Sequence, residues 1–208
     1  MKKTTRHYVA TFTAGLLGTK PNDQEVHDTF IKGKEMDLIP KDEQTAEERT
    51  LAELDKLEKG KTIFHRDEDG NPVIWGYQLK GAIKEAFRTL ARDKNSECAK
   101  IKAYVKVVDG CVFVEPRQIK LELPEGKTLG TCQRPLRAQT MQGERVALAS
   151  SEEAPAGTKI HFSVTTIVDG LEKALEECWE YAQMRFMGAW RNSGKGTAII
   201  EEIKEAAK

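Results

Sequence analysis

Residues 7–16 read HYVATFTAGL, and this stretch decides the fold class because its apolar side chains alternate with polar or β-branched ones. Tyr8, Ala10 and Phe12 fall at every second position. A period of two is typical of a strand that is buried on one face only. We therefore predict a first strand that sends one row of side chains into the core and leaves the other row outside it.

Two amphipathic helices are predicted further along the chain. Between residues 79 and 92, Leu79, Ile83 and Phe87 recur at the helical period. Residues 171–188, LEKALEECWEYAQMRFMG, place apolar side chains on one face and stop at Gly188, as a helix with a glycine C-cap does. The first helix carries its basic residues on the side away from the apolar face: Lys80, Lys84, Arg88 and Arg92.

Several other segments have the patterns of strands. Residues 100–116, KIKAYVKVVDGCVFVEP, contain Asp109-Gly110 between two β-branched runs, which predicts a hairpin of two antiparallel strands. Residues 118–123 predict a shorter strand, and residues 154–168 predict a strand that starts after a Pro and Gly turn. Residues 197–203, TAIIEEI, predict a last strand.

This order of elements favours the α+β class. Without its insertions it approximates a modified ferredoxin-like (RRM-like) domain, in which an antiparallel sheet carries both helices on one face and leaves the other face for a ligand. We predict a single domain over residues 1–208, with an insertion at about 19–61 and a projecting loop or hairpin at about 124–150. The insertion is polar and acidic, and its predicted helical segment has only a thin apolar stripe of Leu51, Leu54 and Leu57.

Charge and cysteine usage limit the class of protein. The chain has 33 basic and 33 acidic residues, so it has no overall field that attracts a polyanion. Its charges are segregated, however, with six basic against twelve acidic residues in 21–59 and fourteen against eight in 79–145. The four cysteines form no C-x-x-C pair and follow no signal peptide, which indicates reduced thiols in the cytoplasm. No cofactor, metal site or membrane span is predicted.

Residues 186–200, FMGAWRNSGKGTAII, form a glycine-rich segment with two cations. They do not match a Walker phosphate loop, because the glycine spacing differs and the segment follows a helix instead of preceding one. Gly194 and Gly196 lack a β-carbon and so can let a nucleic-acid backbone approach, while Arg191 and Lys195 offset phosphate charge. The alternative is a helix C-cap followed by a tight turn.

Four segments together carry a more specific pattern: GLLG at 15–18, FHRDEDGNPVIWGYQLKGAIKEAF at 64–87, PAGTKIHFSVTTI at 155–167 and GAWRNSGKGTAII at 188–200. In this order they resemble the RAMP superfamily of CRISPR-associated proteins, above all the repeated backbone subunit of CRISPR effector complexes. The resemblance covers about half of the chain.

The departures from the family pattern are local. The family segment R-D-x-x-G-x-P-x-I-x-G-S-S-L-K-G has Tyr77 and Gln78 here in place of its two serines, and one glycine of the leading pair in the C-terminal loop is Ala189. The positions of the first segment that match are Arg66, Asp67, Gly70, Pro72, Ile74, Gly76, Leu79, Lys80 and Gly81. Those of the strand start and the loop are Pro155, Ala156, Gly157, Thr158, Gly188, Arg191, Gly194 and Gly196.

The resemblance implies a non-catalytic subunit for antiviral defence in the cytoplasm of a prokaryotic cell, encoded by the host or by a virus. Such a subunit would bind single-stranded guide RNA without sequence preference and assemble with other effector subunits or with copies of itself. Cations would contact phosphates, and Trp190 would stack on a base. The predicted RNA-binding residues are Lys80, Arg134, Arg137, Arg185, Trp190, Arg191, Gly194, Lys195 and Gly196.

Two alternatives stay open at this stage. Some relatives in the superfamily cut RNA, and an endoribonuclease would draw on His7, His65 or His161, or on Asp23 or Asp28 in the loop after the first strand. The second alternative is an interaction decoy of the anti-CRISPR kind, which docks into an effector complex and blocks it. We predict no catalytic residue for the favoured function.

Overall fold

The computed structural model describes residues 3–22, 61–140 and 143–203. The described residues divide into two compact units, the first comprising 3–16, 65–129 and 154–203 and the second 17–22, 61–64, 130–140 and 143–153. Antiparallel sheets and helices are combined, which confirms the predicted α+β class. Most of the predicted insertion, including its leucine stripe, lies outside the described residues.

The first unit is built on a four-stranded antiparallel sheet. Its strands, in spatial order, are β12 (Ala198–Ile203), β1 (Thr4–Phe12), β11 (Lys159–Thr166) and β7 (Val112–Glu115). Tyr8, Ala10 and Phe12 are buried, whereas His7 is exposed and Val9 is half-buried, so the predicted alternation along β1 is confirmed. The sheet therefore has one core face and one outward face.

Four helices belong to the described part of this unit: α1 (Gly76–Leu90), α2 (Glu97–Lys100), α3 (Tyr104–Cys111) and α4 (Glu172–Ala182). The two long helices bury the apolar faces that the sequence predicts, including Leu79, Ile83 and Phe87 in α1. In α4, Trp179 packs edge-on against Tyr8 and Phe162 of the sheet, at ring distances of 5.3 and 6.0 Å. Helix α4 therefore covers the core face of the sheet.

A small three-stranded sheet leads into α1. Its strands are β5 (His65–Arg66), β6 (Pro72–Trp75) and β8 (Gln118–Lys120), with β6 in the middle. Between β5 and β6 the Asp67 Oδ1 atom accepts hydrogen bonds from the backbone N–H groups of Asp69 and Asn71, at 3.1 and 2.7 Å. These bonds close the turn between the two strands. Strand β6 ends at Trp75, and α1 begins at the next residue.

The second unit contains a mixed sheet. Strand β2 (Leu16–Leu17) is followed in space by β10 (Gly143–Ala154), β4 (Lys61–Ile63) and β3 (Lys20–Pro21), and β9 (Gly130–Thr140) also pairs with β10. Strands β9 and β10 form one long antiparallel hairpin. This hairpin runs from residue 130 to residue 154 and overlaps the 124–150 segment for which the sequence predicts a loop or a hairpin.

The predicted hairpin over residues 100–116 is wrong. Residues 104–111 form helix α3, and only residues 112–115 form a strand. Val108 is fully buried, and the Asp109 carboxylate lies 2.9 Å from Lys84 Nζ of α1, so tertiary contacts to the neighbouring helix override the β propensity of the valine run. The Asp109-Gly110 pair lies inside this helix and is not a turn.

The second long helix also ends earlier than the sequence predicts. Helix α4 stops at Ala182 instead of at Gly188. The following residues form turns that keep Phe186 and Met187 buried, while Met184 is 69% exposed. A continued helix would keep Phe186 on the apolar stripe, but the turns bury Phe186 and the adjacent Met187 together.

Candidate nucleic-acid interface

The outward face of the four-stranded sheet carries a mixed surface of aromatic, aliphatic and imidazole side chains. Strand register places His7 between Ser163 and Ile203, and it places Val9 between His161 and Glu201. Alternation along the strands puts these residues opposite the core face. The large apolar side chains exposed on this face are Phe113 (44%), Ile199 (44%) and Ile203 (41%).

A shallow depression of about 580 Å³ lies in this face. Its lining includes both His7 and His161, which occupy diagonal positions on β1 and β11. The Nε2 atom of His161 lies 3.3 Å from a carboxylate oxygen of Glu122. The complete lining is His7, Tyr8, Glu115, Pro116, Arg117, His161, Phe162, Ser163 and Ile203.

Two cations border the sheet face where α1 begins. Lys80 Nζ donates a hydrogen bond to the Asp109 carbonyl at 2.7 Å and lies 5.5 Å from the centre of the Phe113 ring. Arg117 is exposed, and its carbonyl accepts from Gly76 N–H at 2.8 Å. We call Phe113, Lys80 and Arg117 the border of the sheet face: Lys80 in the first turn of α1 lies over the Phe113 ring, and the Arg117 carbonyl is bonded to the first residue of that helix.

The glycine-rich loop, residues 188–196, lies at the other end of β1. Gly196 N–H donates to the Gly15 carbonyl at 3.0 Å, and Thr13 N–H donates to the Thr197 carbonyl at 2.9 Å. Gly194 and Gly196 have φ values of +77° and +69°. A β-carbon at Gly196 would lie 1.8 Å from the Met187 carbonyl oxygen, so only glycine fits there.

An acidic residue of α1 holds the two arginines of this loop region. Glu85 accepts from Arg185 Nε at 2.9 Å, and its other oxygen accepts from Arg191. Partial burial alone would raise the pKa of Glu85, but the hydrogen bonds and charges of Arg191 and Arg185 lower that pKa overall. Arg185 also donates to the side chain of Asn192. The loop therefore presents less positive charge than its sequence suggests.

The structure brings most of the predicted RNA-binding residues into the first unit. Trp190 has a positive φ of +56° and is 38% exposed. Lys195 is half-buried. In the second unit, Arg134 is half-buried and Arg137 is exposed, both on β9. Lys80 lies in the first turn of α1, and the others lie in or just before the loop: Arg185, Trp190, Arg191, Gly194, Lys195 and Gly196.

The residues proposed for a ribonuclease separate in the structure. His7 and His161 share the depression, whereas His65 packs against Trp75 with its ring 5.9 Å away. Asp23 and Asp28 lie outside the described residues. Over the described ranges, no group of three His, Cys, Asp or Glu residues could hold a metal ion. Within those ranges there is also no helix long and apolar enough to cross a membrane.

Sequence reasoning missed Phe113, Arg117 and Glu85. Phe113 was assigned to the second strand of a wrong hairpin, which hid its place at the sheet border. Arg117 has no local pattern that marks it. Glu85 is 106 residues from Arg191, and nothing in the spacing of either residue predicts that they meet.

Comparisons with known proteins inform on the fold. No protein-family model and no curated protein sequence matches the chain. One similar structure is a chain in the "Cryo-EM structure of the Type III-B Cmr-beta bound to cognate target RNA", with a TM-score of 0.56 and 13% sequence identity. The match covers 98% of this protein but only 61% of the length of that chain. A chain in a "Type IV-B CRISPR Complex" matches with a TM-score of 0.50 and 11% identity, over 99% of this chain and 92% of that chain. At these identities the similarity is one of fold.

Proposed function

We propose that this chain is a single RAMP-type domain that binds single-stranded guide RNA without sequence preference, as a backbone-type subunit of a CRISPR effector complex. The observation that carries the proposal is an outward sheet face whose aromatic and cationic side chains are exposed among the described residues, in a fold shared with chains of two CRISPR complexes. One of those complexes is described as bound to its target RNA.

The chemistry of the sheet face suits a single strand. Exposed aromatic rings can stack on bases of any identity, and cations at the border neutralise phosphates, so both contacts are independent of sequence. Phe113 offers such a ring beside Lys80, and Arg117 adds a second cation. A double helix has its bases already stacked and offers this surface only its phosphates.

The glycine-rich loop supplies a second contact region in this proposal. Its tight backbone, with glycine at two positions of positive φ, lets a sugar-phosphate backbone come near the main chain. Trp190 would stack on a base, and Arg185, Arg191 and Lys195 would contact phosphates. Phosphate binding would compete with Glu85 for Arg185 and Arg191.

The proposal also includes the partners of this chain and its location in the cell. The partners would be other effector subunits or further copies of this chain, with Arg134 and Arg137 of the long hairpin as additional RNA contacts. The setting would be the cytoplasm of a prokaryotic cell, with the gene in the host or in a virus.

Salt-dependent RNA binding tests this function. The affinity for a labelled single-stranded oligouridylate should fall with salt, with a slope in log–log form of about −0.7 per neutralised phosphate. Lys80→Glu and Lys195→Glu should each weaken binding and reduce the slope. Lys173→Glu is the matched control, because Lys173 is exposed on α4, the helix that covers the opposite face.

The outcome of this binding experiment decides between an RNA-binding subunit and an interaction decoy. Equal affinities for all four proteins would refute the assignment of the contacts. A wild-type protein that purifies without RNA, binds no oligonucleotide and binds a foreign effector complex tightly would favour the decoy.

RNA cleavage is a second candidate, favoured by the two histidines in one depression. Diagonal neighbours on adjacent antiparallel strands are about 7–8 Å apart, close enough for both imidazoles to reach one phosphodiester. One could act as the general base on a 2′-hydroxyl and the other as the general acid on the leaving oxygen. Incubation of labelled RNA without metal should then yield products that disappear with His7→Ala and with His161→Ala. Intact RNA with the wild type would exclude this activity.

A further inference from the structure

Three aromatic rings lie together where β6 passes into α1, two of them nearly parallel and one edge-on; we call His65, Trp75 and Tyr77 the aromatic stack. Tyr77 is 66% exposed. Its ring centre lies 6.4 Å from that of Trp75, with only 20° between the two planes. The Trp75 ring in turn meets the His65 ring edge-on at 5.9 Å. The Tyr77 ring is therefore nearly parallel to the Trp75 ring and leaves most of its side chain in solvent.

The backbone around the aromatic stack is held by several hydrogen bonds. Trp75 N–H donates to the Gln78 side-chain oxygen at 2.9 Å, and Gly76 N–H donates to the Arg117 carbonyl at 2.8 Å. Trp75 also lies opposite Gln118 in the small sheet. A ligand that stacks on Tyr77 would meet a ring whose backbone is already ordered, so little conformational entropy would be lost on binding.

Two cations belong to the same region of the chain as the exposed ring. Lys80 follows Tyr77 by three positions and so lies on the same side of α1. Arg117 is exposed and is fixed beside Gly76 by the backbone hydrogen bond. An exposed aromatic ring with cations nearby suits an unpaired base and the phosphates on either side of it.

We propose that the aromatic stack is a binding site for one unpaired nucleobase, which stacks on Tyr77 while Lys80 and Arg117 contact the flanking phosphates. The site rests on the proposed RNA-binding function and adds a base contact to it. It also continues the sheet face, because Lys80 lies over the Phe113 ring and Arg117 lines the depression. The base would therefore occupy one end of the strand that crosses the sheet.

A pair of labelled oligonucleotides separates the base contact from the phosphate contacts. The first is a short oligouridylate, and the second is a strand of the same length whose sugars carry no bases. Tyr77→Ala should weaken binding of the oligouridylate by about fivefold or more, the loss typical of one stacked base, and should leave binding of the abasic strand unchanged. Tyr77→Phe should bind both strands like the wild type, because it keeps the ring.

The remaining outcomes distinguish a failure of the base site from a failure of the proposed function. If the wild type binds RNA in a salt-dependent manner and Tyr77→Ala binds the oligouridylate within twofold of it, the base site is refuted and the proposed function stands. Equal losses on both strands would also refute the base site, since they would show that Tyr77 does not act on a base. If the wild type binds neither strand, the proposed function fails and the base site fails with it.

Discussion

Glu85 is the residue whose replacement tests the anchoring of the glycine-rich loop. Its two carboxylate oxygens accept from Arg185 and Arg191 separately, and the side chains of the three residues are 30%, 34% and 28% exposed. Glu85→Gln keeps the shape but leaves one carbonyl oxygen for two guanidinium groups. At least one charged hydrogen bond is lost.

The magnitude follows from the partial burial of this group. A hydrogen bond to a charged group contributes about 1.5–3 kcal/mol, and a fully exposed ion pair contributes only about 0.2–1 kcal/mol. For a group that is about a third exposed we expect Glu85→Gln to lower the free energy of unfolding by about 1.5–2 kcal/mol at pH 7. The midpoint of thermal unfolding should fall by about 3–8 °C.

Urea unfolding followed by tryptophan fluorescence measures this change, with Glu176→Gln as the control. Glu176 is 61% exposed and lies 3.4 Å from Arg6, so its replacement should stay within about 0.5 kcal/mol of the wild type. The pKa of Glu85 is lowered in the folded chain, so its contribution is present above the pKa of an unfolded glutamate and is lost as the pH falls. The difference between Glu85→Gln and the wild type should therefore shrink below about pH 4. An equal stability of the two proteins at pH 7, or a difference that does not depend on pH, would refute the anchoring role.

Three further predictions concern other parts of the described chain. Gly196→Ala should lower the free energy of unfolding in urea by more than about 3 kcal/mol, because its β-carbon would meet the Met187 carbonyl. Gly194 has a similar φ but no atom of the described residues within 4 Å of its β-carbon position, so Gly194→Ala should lower it by only about 1–2 kcal/mol. Similar losses for the two variants would contradict the close contact at Gly196. In the folded chain a thiol reagent should react with Cys111 and Cys132 but not with Cys98 and Cys178. Cys98 and Cys178 are buried with their sulfur atoms 3.9 Å apart, and burial raises the pKa of Cys178 well above its usual value. Rapid reaction of all four thiols with the reagent would contradict this packing. Glu177 accepts hydrogen bonds from Ser96 and from the backbone N–H groups of Glu97 and Cys98, and these lower its pKa although burial alone would raise it. Glu177 thus caps the start of α2, and Glu177→Gln should lower the free energy of unfolding by about 0.5–2 kcal/mol at pH 7 and by less in acid. A loss of stability that grows in acid would refute this capping role.

The sequence predicted those elements whose pattern is set by the core. Strand β1 and helices α1 and α4 each bury one regular row of apolar side chains, so their periods of two and 3.6 are visible in the chain. The run that forms α3 has no visible helical pattern, because its valines favour a strand and its Asp-Gly pair favours a turn. Contacts between Asp109 and α1 decide that segment, and they depend on residues about 25 positions away.

The candidate site was predictable in part for a similar reason. Glycines at 194 and 196 mark a backbone that needs positive φ, and this is a local property that the sequence shows. The partner of Arg191 and the border formed by Phe113, Lys80 and Arg117 arise only when distant segments meet. Composition gave the local excess of basic residues, but it could not show that Glu85 offsets part of that charge.

In the proposed function, a single strand of RNA lies across the outward sheet face and reaches the glycine-rich loop. The most direct measurement is photo-cross-linking of a 4-thiouridine oligonucleotide to the protein, with the linked peptides identified by mass spectrometry. We expect cross-links in peptides that contain Tyr77, Phe113 or His161 and in the peptide that contains the glycine-rich loop. We expect none in α4. Cross-links concentrated in α4, or none at all under conditions where RNA is bound, would contradict this placement of the RNA.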